Sequence, residues 1–327
     1  STDGGTTWTQ VFDQYVFDIE THPTDPQQAL ATYSAWWPAQ NDTYHHVLYT
    51  ADGGRTWKTA TGLDSKTWLG RIEVAYAPSD PRIVYAASQE TIYKSTDGGR
   101  SFTTVRKLDG SGLSWYCDAV WVAPNDPNVI VVGGGGLHRS TDGGVTFESI
   151  GNGYLLTEDP HPDHHRIIAA PGYDGVANRR VYDTSDGGVF RTDDILAVGE
   201  NGGWVSLVRG LQTTQFYAVV GDGARDVLLG GTQDNGTLRL DPGSTDGSLV
   251  SGGDGGQSAL DWQDPRYCYG EYVGLRPFRS DNGCQSWTGD LTSLPDYGLG
   301  NWIAPLLLDP ADPRRLYAGG RSLWRTD

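Results

Sequence analysis

Ser95-Thr96-Asp97-Gly98-Gly99-Arg100-Ser101-Phe102 is repeated along this chain with only small changes. Close copies stand at residues 1–8 (STDGGTTW), 50–57 (TADGGRTW) and 140–147 (STDGGVTF), and a more distant copy stands at 280–287 (SDNGCQSW). Each residue type suits a tight turn between two strands. The Asp carboxylate can accept bonds from turn N–H groups, the glycines permit positive φ, and the final aromatic ring can anchor in a core. Repetition at intervals of roughly 40–50 residues is typical of propellers and solenoids.

Pro-x-Asp-Pro turns form a second repeat, at residues 23–26, 78–81, 124–127 and 310–313, with the variant Trp262-Gln263-Asp264-Pro265. Because proline cannot donate a hydrogen bond to a β-ladder, these turns are predicted to be hairpin tips. Together the two repeats predict seven four-stranded units. The predicted units are residues 13–62, 68–110, 113–153, 154–211, 213–253, 254–295, and 301–327 together with 1–12.

The two ends of the chain are predicted to complete one sheet. No turn repeat follows Asp327, whereas the chain begins with one. We therefore expect Ser322–Asp327 to pair with Thr7–Phe12, which removes the free sheet edges that invite aggregation. Residues 171–180 and 193–203 depart from the repeat and are predicted to be loops, and such departures are where function is usually carried.

The composition fits an all-β chain and argues against several classes of function. The 45 glycines and 17 prolines suit many tight turns, and the 12 Trp and 17 Tyr suit packed sheets. A net charge of −17 argues against a nucleic-acid partner, which needs clustered cations. No apolar run approaches the roughly 18 residues of a membrane span, so no membrane insertion is expected. The chain contains no Met, which indicates a segment that belongs with other domains of a longer chain.

The first repeat resembles the Asp-box, or BNR repeat, which closes the hairpin between the third and fourth strands of a propeller blade. This resemblance covers the whole chain and implies one domain, a seven-bladed all-β propeller over residues 1–327 whose last blade is closed by strands from both termini. It implies a structural role for the box residues Asp3, Asp52, Asp97, Asp142 and Asp281. Sialidases share these boxes but begin with Arg-Ile-Pro and use three convergent arginines; Arg71-Ile72-Glu73 does not match, so sialidase activity is not predicted.

Propeller topology assigns the connecting segments to two faces. The boxes and the Pro-x-Asp-Pro turns fall on one face, and the links between blades and the turns between second and third strands fall on the other. The predicted ligand-binding residues of this other face are Trp37, Trp68, Trp115, Tyr116, Asp118, Tyr217, Gln233, Asp234, Asn235 and Tyr272. The same face also carries Arg71, Tyr182, Asp183, Gln215, Gln257, Glu271 and Trp302. Aromatic rings stack on sugar C–H faces while carboxylates and amides bond hydroxyls, so the pattern favours a glycan, although some rings are expected to pack between blades.

Two acidic phrases resemble the motifs that carry the catalytic carboxylates of the tandem-propeller xyloglucan hydrolases. They are Asp186 in the segment 182–191 (YDTSDGGVFR) and Asp254 in the segment 251–257 (SGGDGGQ). The resemblance implies inverting hydrolysis by one acid and one base. In that family the two carboxylates come from different propellers, whereas both lie in one here, and Gln257 replaces a Phe. Ordinary turn chemistry is the competing interpretation of both phrases.

Histidines and cysteines leave further alternatives. His161, His164 and His165 with Asp159 and Asp163 have the side chains that zinc accepts, but they replace a Pro-x-Asp-Pro turn, and a solvated turn without metal is predicted. Cys268 and Cys284 could form a disulfide, although we expect them at the starts of strands separated by a third, which is marginal geometry.

The sequence thus predicts an extracellular or cell-surface propeller that binds polysaccharide or a protein partner through its aromatic and acidic face, without a cofactor. The alternatives are a glycoside hydrolase using Asp186 and Asp254, and a protein-assembly scaffold, as in the Asp-box photosystem assembly factors that this chain resembles in blade count.

Overall fold

The computed structural model describes the chain except for residues 2, 14, 34–45, 64–69, 114–115, 117, 152–158, 201, 209, 211–213 and 327. The described residues form β-strands and turns and contain no helix. The chain divides into two compact units, Ser1–Arg209 and Gly210–Asp327. No helix in the described part of the chain has the length and apolar character needed to span a membrane.

The first unit contains four antiparallel sheets, each a meander of four strands in chain order. Sheet 1 consists of β1 (Val16–Thr21), β2 (Ala29–Tyr33), β3 (His46–Thr50) and β4 (Lys58–Thr59). Sheet 2 consists of β5 (Glu73–Tyr76), β6 (Val84–Ser88), β7 (Thr91–Ser95) and β8 (Thr103–Lys107). Sheet 3 consists of β9 (Ala119–Val122), β10 (Ile130–Gly133), β11 (Leu137–Ser140) and β12 (Glu148–Gly151). Sheet 4 consists of β13 (His164–Ala169), β14 (Val181–Ser185), β15 (Gly188–Thr192) and β16 (Trp204–Ser206).

The second unit contains three more antiparallel meanders. Sheet 5 consists of β17 (Phe216–Asp222), β18 (Val227–Thr232), β19 (Thr237–Leu240) and β20 (Ser248–Ser251). Sheet 6 consists of β21 (Gly255–Leu260), β22 (Cys268–Tyr272), β23 (Arg276–Ser280) and β24 (Gly289–Asp290). Sheet 7 has three strands among the described residues, β25 (Leu306–Leu308), β26 (Leu316–Gly319) and β27 (Leu323–Arg325).

Each sheet falls within one of the unit boundaries that the sequence predicts, and the meanders confirm the predicted all-β class of a multi-bladed propeller. The residues from Thr7 to Phe12 form no strand, and the Trp8 side chain is 80% exposed. Closure of the last sheet by strands from both termini, the count of seven closed blades and a single domain therefore stay predictions. Residues 171–180 and 193–203 lie outside the strands of sheet 4, as the sequence predicts.

The core lies between neighbouring sheets within each unit. All five residues of β6 are buried. Because side chains alternate between the two faces of a strand, Val84 and Ala86 pack in the cluster shared with sheet 1, while Tyr85 and Ala87 pack in the cluster shared with sheet 3. Sheets 3 and 4 share a third cluster in the first unit, and sheets 5, 6 and 7 share two clusters in the second.

The box turns hold themselves together by local hydrogen bonds. Asp52 accepts two bonds from Thr56, one from the N–H at 2.9 Å and one from the hydroxyl at 2.6 Å. Thr50 donates its hydroxyl to Asp52 and accepts the N–H of Gly54 at 3.1 Å. The same bonds recur around Asp3, Asp97 and Asp142. Hydrogen bonds from the Thr hydroxyl and N–H lower the pKa of Asp3, Asp52 and Asp142 to about 2.

The fifth box requires a correction, because Asn282 and not Asp281 occupies the carboxylate position. The Asn282 Oδ1 accepts the Ser286 N–H at 3.0 Å, and its Nδ2 donates to the Ser286 hydroxyl at 2.7 Å. Cys284 takes the place of the second glycine and adopts a φ of 64°. It forms a disulfide with Cys268. The expectation that both cysteines begin strands is wrong: Cys268 begins β22, but Cys284 lies in the turn after β23, which brings the two close enough to bond.

Hydrogen bonds between turns define two ends of each sheet. In four sheets the N–H of the first box glycine, or its counterpart, donates to the carbonyl of the residue after Pro-x-Asp-Pro or its variant; the pairs are Gly53–Gln27, Gly98–Arg82, Gly143–Asn128 and Gly283–Arg266. Both kinds of turn therefore share one end, which we call the box end. The links between sheets and the hairpins between second and third strands lie at the opposite end, which we call the link end.

Candidate functional site

The predicted ligand-binding residues that the structure describes lie at or near the link end, and each unit has its own group of them. Trp37, Trp68 and Trp115 lie outside the described residues, so their positions stay predictions. In the second unit we call Tyr217, Asp234, Asp254, Tyr272 and Trp302 the aromatic–acidic site.

Trp302 and Tyr217 form the exposed aromatic part of this site. The indole of Trp302 is 59% exposed, and its Nε1–H donates to the Tyr217 hydroxyl at 3.1 Å. Tyr217 lies near the start of β17, and Trp302 lies in the link before β25. The hydrogen bond orients the indole, and more than half of the residue's surface stays exposed. Trp302 was assigned to this face from the sequence but not to the ligand-binding set, because sequence alone does not show which ring stays exposed.

Asp234 and Asp254 meet where a hairpin touches a link. The N–H of Asp234, which has a φ of 60°, donates to the Asp254 carboxylate at 3.1 Å. The N–H of Gly236 donates to the Gly253 carbonyl at 2.7 Å. Gln233 and Asn235 flank the same hairpin tip, where the Asn235 side chain donates to the Gln233 carbonyl. These bonds hold Asp254 at the rim of sheet 6.

Tyr272 packs against the same link. A Cβ at Gly253 would lie 2.7 Å from the Tyr272 ring, so glycine is required for this close approach. The Arg276 guanidinium also lies over the Tyr272 ring, 5.6 Å from its centre. Tyr272 is thus half-buried between a link and an arginine, and it presents part of one ring at the link end.

Glu271 is the buried support of the aromatic–acidic site. Its side chain accepts the N–H of Gln257 and the N–H of Ala304, both at 3.1 Å. These donors belong to β21 and to the link that carries Trp302, so one carboxylate joins the first strand of sheet 6 to that link. Burial raises the pKa of Glu271 to about 7. The sequence places Glu271 on this face, but its burial depends on neighbouring strands and was not predicted.

In the first unit, Asp186 lies in a cluster with His165 and Tyr116. Nε2 of His165 lies 2.6 Å from the Asp186 carboxylate, and the Tyr116 hydroxyl donates to the same carboxylate at 3.4 Å. The Tyr116 and His165 rings meet edge to face with their centres 5.7 Å apart. Asp186 therefore lies in a hydrogen-bonded group with His165 and Tyr116. Asp186 and Tyr116 were predicted site residues, whereas the contact with His165 was not predicted.

Glu73 is a buried acid of the first unit whose pKa is strongly raised. It is buried at the start of β5, where Arg71 donates to it and where Asp18 of β1 approaches. Burial, reinforced by the negative charge of Asp18, raises the pKa of Glu73 to about 8 despite Arg71. Burial also raises the pKa of Asp18, whose carboxylate accepts the Val74 N–H. These groups come from different sheets, so no local motif signals them.

Two predictions for the first unit need correction. Asp118 has no exposed surface, so it is an interior residue and not one presented to a ligand. The segment with three histidines is not a solvated turn throughout, because His164 begins β13, is buried and pairs with the buried Asp183 at 2.9 Å. Among the described residues, no group of three or more His, Cys, Asp or Glu side chains could hold a metal ion.

Asp186 and Asp254 belong to different units, the first and the second. Each is held by its own partners, Asp186 by His165 and Tyr116 and Asp254 by the Asp234 N–H. Their use as a hydrolase pair stays a prediction.

No family model and no curated protein matches this chain. Solved structures resemble it in fold at low sequence identity. The GH74 xyloglucanase of Xanthomonas campestris is 16% identical with a TM-score of 0.45, and the match covers 98% of this chain and 53% of that enzyme. YCF48 of Cyanidioschyzon merolae is 14% identical with a TM-score of 0.41, and the match covers 97% of this chain and 98% of that protein. Sqt1 of Saccharomyces cerevisiae is 11% identical with a TM-score of 0.40, over 96% and 82% of the two chains. The chain thus spans about half the length of the xyloglucanase that it resembles.

Proposed function

We propose that this protein binds a polysaccharide at the aromatic–acidic site of the second unit. The observation that carries the proposal is Trp302, a residue that is 59% exposed while its indole N–H donates a hydrogen bond to the Tyr217 hydroxyl. An exposed ring normally loses side-chain freedom when it binds. A ring that a hydrogen bond already orients loses less, and this favours affinity.

The chemistry around the indole fits a neutral or weakly polar sugar chain. The face of a pyranose ring stacks on an aromatic ring, and its hydroxyls bond carboxylates and amides. Trp302 donates to Tyr217, which lies two residues after Gln215. The Gln215 carbonyl accepts the N–H of Gln233, and the N–H of the next residue, Asp234, donates to Asp254. The site therefore combines one stacking platform with acceptors at the same end of neighbouring sheets.

The proposed location is outside the cell or at its surface. The Cys268–Cys284 disulfide supports this, because disulfides persist in oxidising compartments. The net charge of −17 is compatible with neutral glycans and disfavours nucleic acid.

Affinity electrophoresis and calorimetry with a panel of soluble β-glucans, xyloglucan and mannans test the proposal. We expect at least one polysaccharide to bind, Trp302→Ala to weaken binding by at least about tenfold, and Tyr217→Phe to weaken it less, because it removes only the acceptor that orients the ring. Trp262→Ala is the matched control, since Trp262 is a 42% exposed tryptophan at the box end of the same unit. Wild-type affinity in Trp302→Ala, an equal loss in Trp262→Ala, or no binding across the panel contradicts the proposal.

A further inference from the structure

The link that carries Trp302 is attached to sheet 6 by three hydrogen bonds. The Gly300 N–H donates to the Gly274 carbonyl at 3.1 Å, and the Gly274 N–H donates to the Trp302 carbonyl at 2.9 Å. The third bond runs from the N–H of Ala304, two residues after Trp302, to the Glu271 carboxylate at 3.1 Å. The first two bonds join backbone groups, so the third is the one that depends on the charge of a side chain.

The second carboxylate oxygen of Glu271 faces the segment that follows Asp254. It accepts the N–H of Gln257 at 3.1 Å. A Cβ at Gly256 would lie 3.0 Å from the same oxygen, so the backbone before Gln257 passes close to the carboxylate. Because Glu271 has no exposed surface, a bond lost here is not replaced by bulk water. One buried carboxylate thus contacts the backbone that follows Asp254 and the backbone that follows Trp302.

We propose, on the basis that a polysaccharide binds the aromatic–acidic site, that Glu271 is its positioning residue and that a proton on the Glu271 carboxyl weakens binding there. An ionised carboxylate accepts with both oxygens, whereas a protonated carboxyl turns one oxygen into a donor. That oxygen then faces an N–H group, donor against donor, and the bond is weakened. The ionised form therefore holds the links of Trp302 and Asp254 together, and the protonated form releases one of them.

Glu271 changes its charge near neutral pH. Burial raises its pKa to about 7, against the opposing effect of the backbone N–H groups that it accepts. Ionisable side chains at the link end of the surrounding elements include Tyr217, Asp234, Asp254, Tyr272, Arg276 and Asp296. The pKa of Glu271 is raised by burial and not by these charges.

The sequence of the second unit contains no histidine. Histidine is the side chain that ordinarily titrates between pH 6 and pH 8, and all seven histidines lie between His22 and His165, in the first unit. A change of affinity across this range at the aromatic–acidic site is therefore assigned to Glu271.

The first experiment needs no ligand and measures amide hydrogen exchange of the free protein. In Glu271→Gln the side chain keeps its size but accepts through one oxygen, as the protonated carboxyl does. We expect the protection factor of the segment that contains Ala304 to fall about fivefold in this variant at pH 8, the worth of one hydrogen bond. The wild type should show the same fall from pH 8 to pH 6, while sheet 2 keeps its protection. Equal protection of the Ala304 segment in all three cases overturns the positioning role.

The second experiment measures affinity at pH 6 and pH 8 for the polysaccharide of the panel above that the wild type binds most tightly. If the ionised form is the competent one, the apparent Kd rises by up to about tenfold at pH 6. Glu271→Gln should bind weakly at both pH values. Glu73→Gln, which changes a buried acid of the first unit with a raised pKa, is the matched control and should keep the wild-type pH dependence.

Two outcomes of the second experiment overturn the proposal: equal wild-type affinity at the two pH values, and a pH dependence that survives in Glu271→Gln. If no polysaccharide of the panel binds, the proposed function fails and the effect on binding fails with it. The exchange experiment then decides separately whether Glu271 positions the link.

Discussion

The box end and the link end of these sheets treat their acidic side chains in opposite ways. At the box end Asp52 is satisfied by its own turn, stays in contact with solvent and has a pKa lowered to about 2. At the link end Glu73 and Glu271 are buried, and burial raises their pKa values to about 8 and about 7. Glu271 accepts bonds from residues far away in the chain, and Glu73 lies near the charge of Asp18 from another sheet. The repeated turns satisfy their aspartates with their own residues, whereas the burial of acids at the link end depends on how sheets pack. Perturbed acids at such an end are candidates for function.

The largest expected effect concerns pH at the link end. A carboxyl whose pKa is raised in the folded state holds its proton more tightly than it does in the unfolded chain. The free energy of unfolding should therefore fall as pH rises from 4.5 to about 8. Glu73 contributes at most about 5 kcal/mol, and less where the site relaxes. Urea titrations at several pH values in this range measure the free energy of unfolding. Its decrease with rising pH should be smaller in Glu73→Gln, whose amide oxygen can still accept from Arg71. An equal decrease in both proteins would contradict a raised pKa of Glu73.

We expect the opposite pH dependence of stability at the box end. Because the pKa of Asp52 and Asp142 is lowered from 3.8 to about 2, their contribution to stability is present above pH 3.8 and is lost as pH falls through about 2. Acid unfolding followed by tryptophan fluorescence should begin at higher pH in Thr56→Val, which removes the hydroxyl that donates to Asp52.

The next effect concerns the disulfide at the fifth box. This box has Asn282 in place of the aspartate, and the Cys268–Cys284 bond closes a loop with a sequence separation of 16. We expect its reduction to lower the free energy of unfolding by about 3 kcal/mol, because the unfolded chain regains freedom. Denaturant midpoints with and without a reductant measure this, and the double variant Cys268→Ala with Cys284→Gly should be insensitive to the reductant. Equal midpoints for the wild type in both conditions would refute a stabilising role.

A smaller effect is expected from a single box aspartate. Asp97→Ala removes the acceptor of the Ser101 N–H and hydroxyl bonds and should lower the free energy of unfolding by about 1–3 kcal/mol. Asp97→Asn should retain most of the stability, because Asn282 makes the equivalent bonds in the fifth box. Polysaccharide binding should be unchanged in both variants. Loss of binding without loss of stability would place ligand binding at the box end and contradict a structural role for the box aspartates.

The smallest expected effect is that of Asp254→Asn on polysaccharide affinity. The amide can still accept the Asp234 N–H but presents a donor in place of one carboxylate oxygen, so we expect a loss of about three- to tenfold. Asp246→Asn, an exposed change in the turn between β19 and β20, is the control. Release of reducing ends by the wild type, with a loss of at least about a hundredfold in Asp186→Asn and Asp254→Asn, would instead support the hydrolase alternative.

The all-β class of this protein could be predicted from the sequence because the signals for it are local. Asp97, its two glycines and Phe102 specify a turn from eight consecutive residues, and repetition of this turn predicts where along the chain each sheet falls. The same locality assigned Asp254 and Tyr272 to the link end, since meander topology fixes where each hairpin lies.

Only the tertiary structure decided which of these residues are exposed and what they touch. The hydrogen bond between Trp302 and Tyr217 joins residues far apart in the chain, and so does the bond from the Ala304 N–H to Glu271. The burial of Asp118 likewise depends on the packing around it. The same holds for Cys284, which reaches Cys268 because the turn after β23 packs beside the start of β22. Burial and pairing of this kind depend on how neighbouring strands and sheets pack, and no single segment of sequence contains that information.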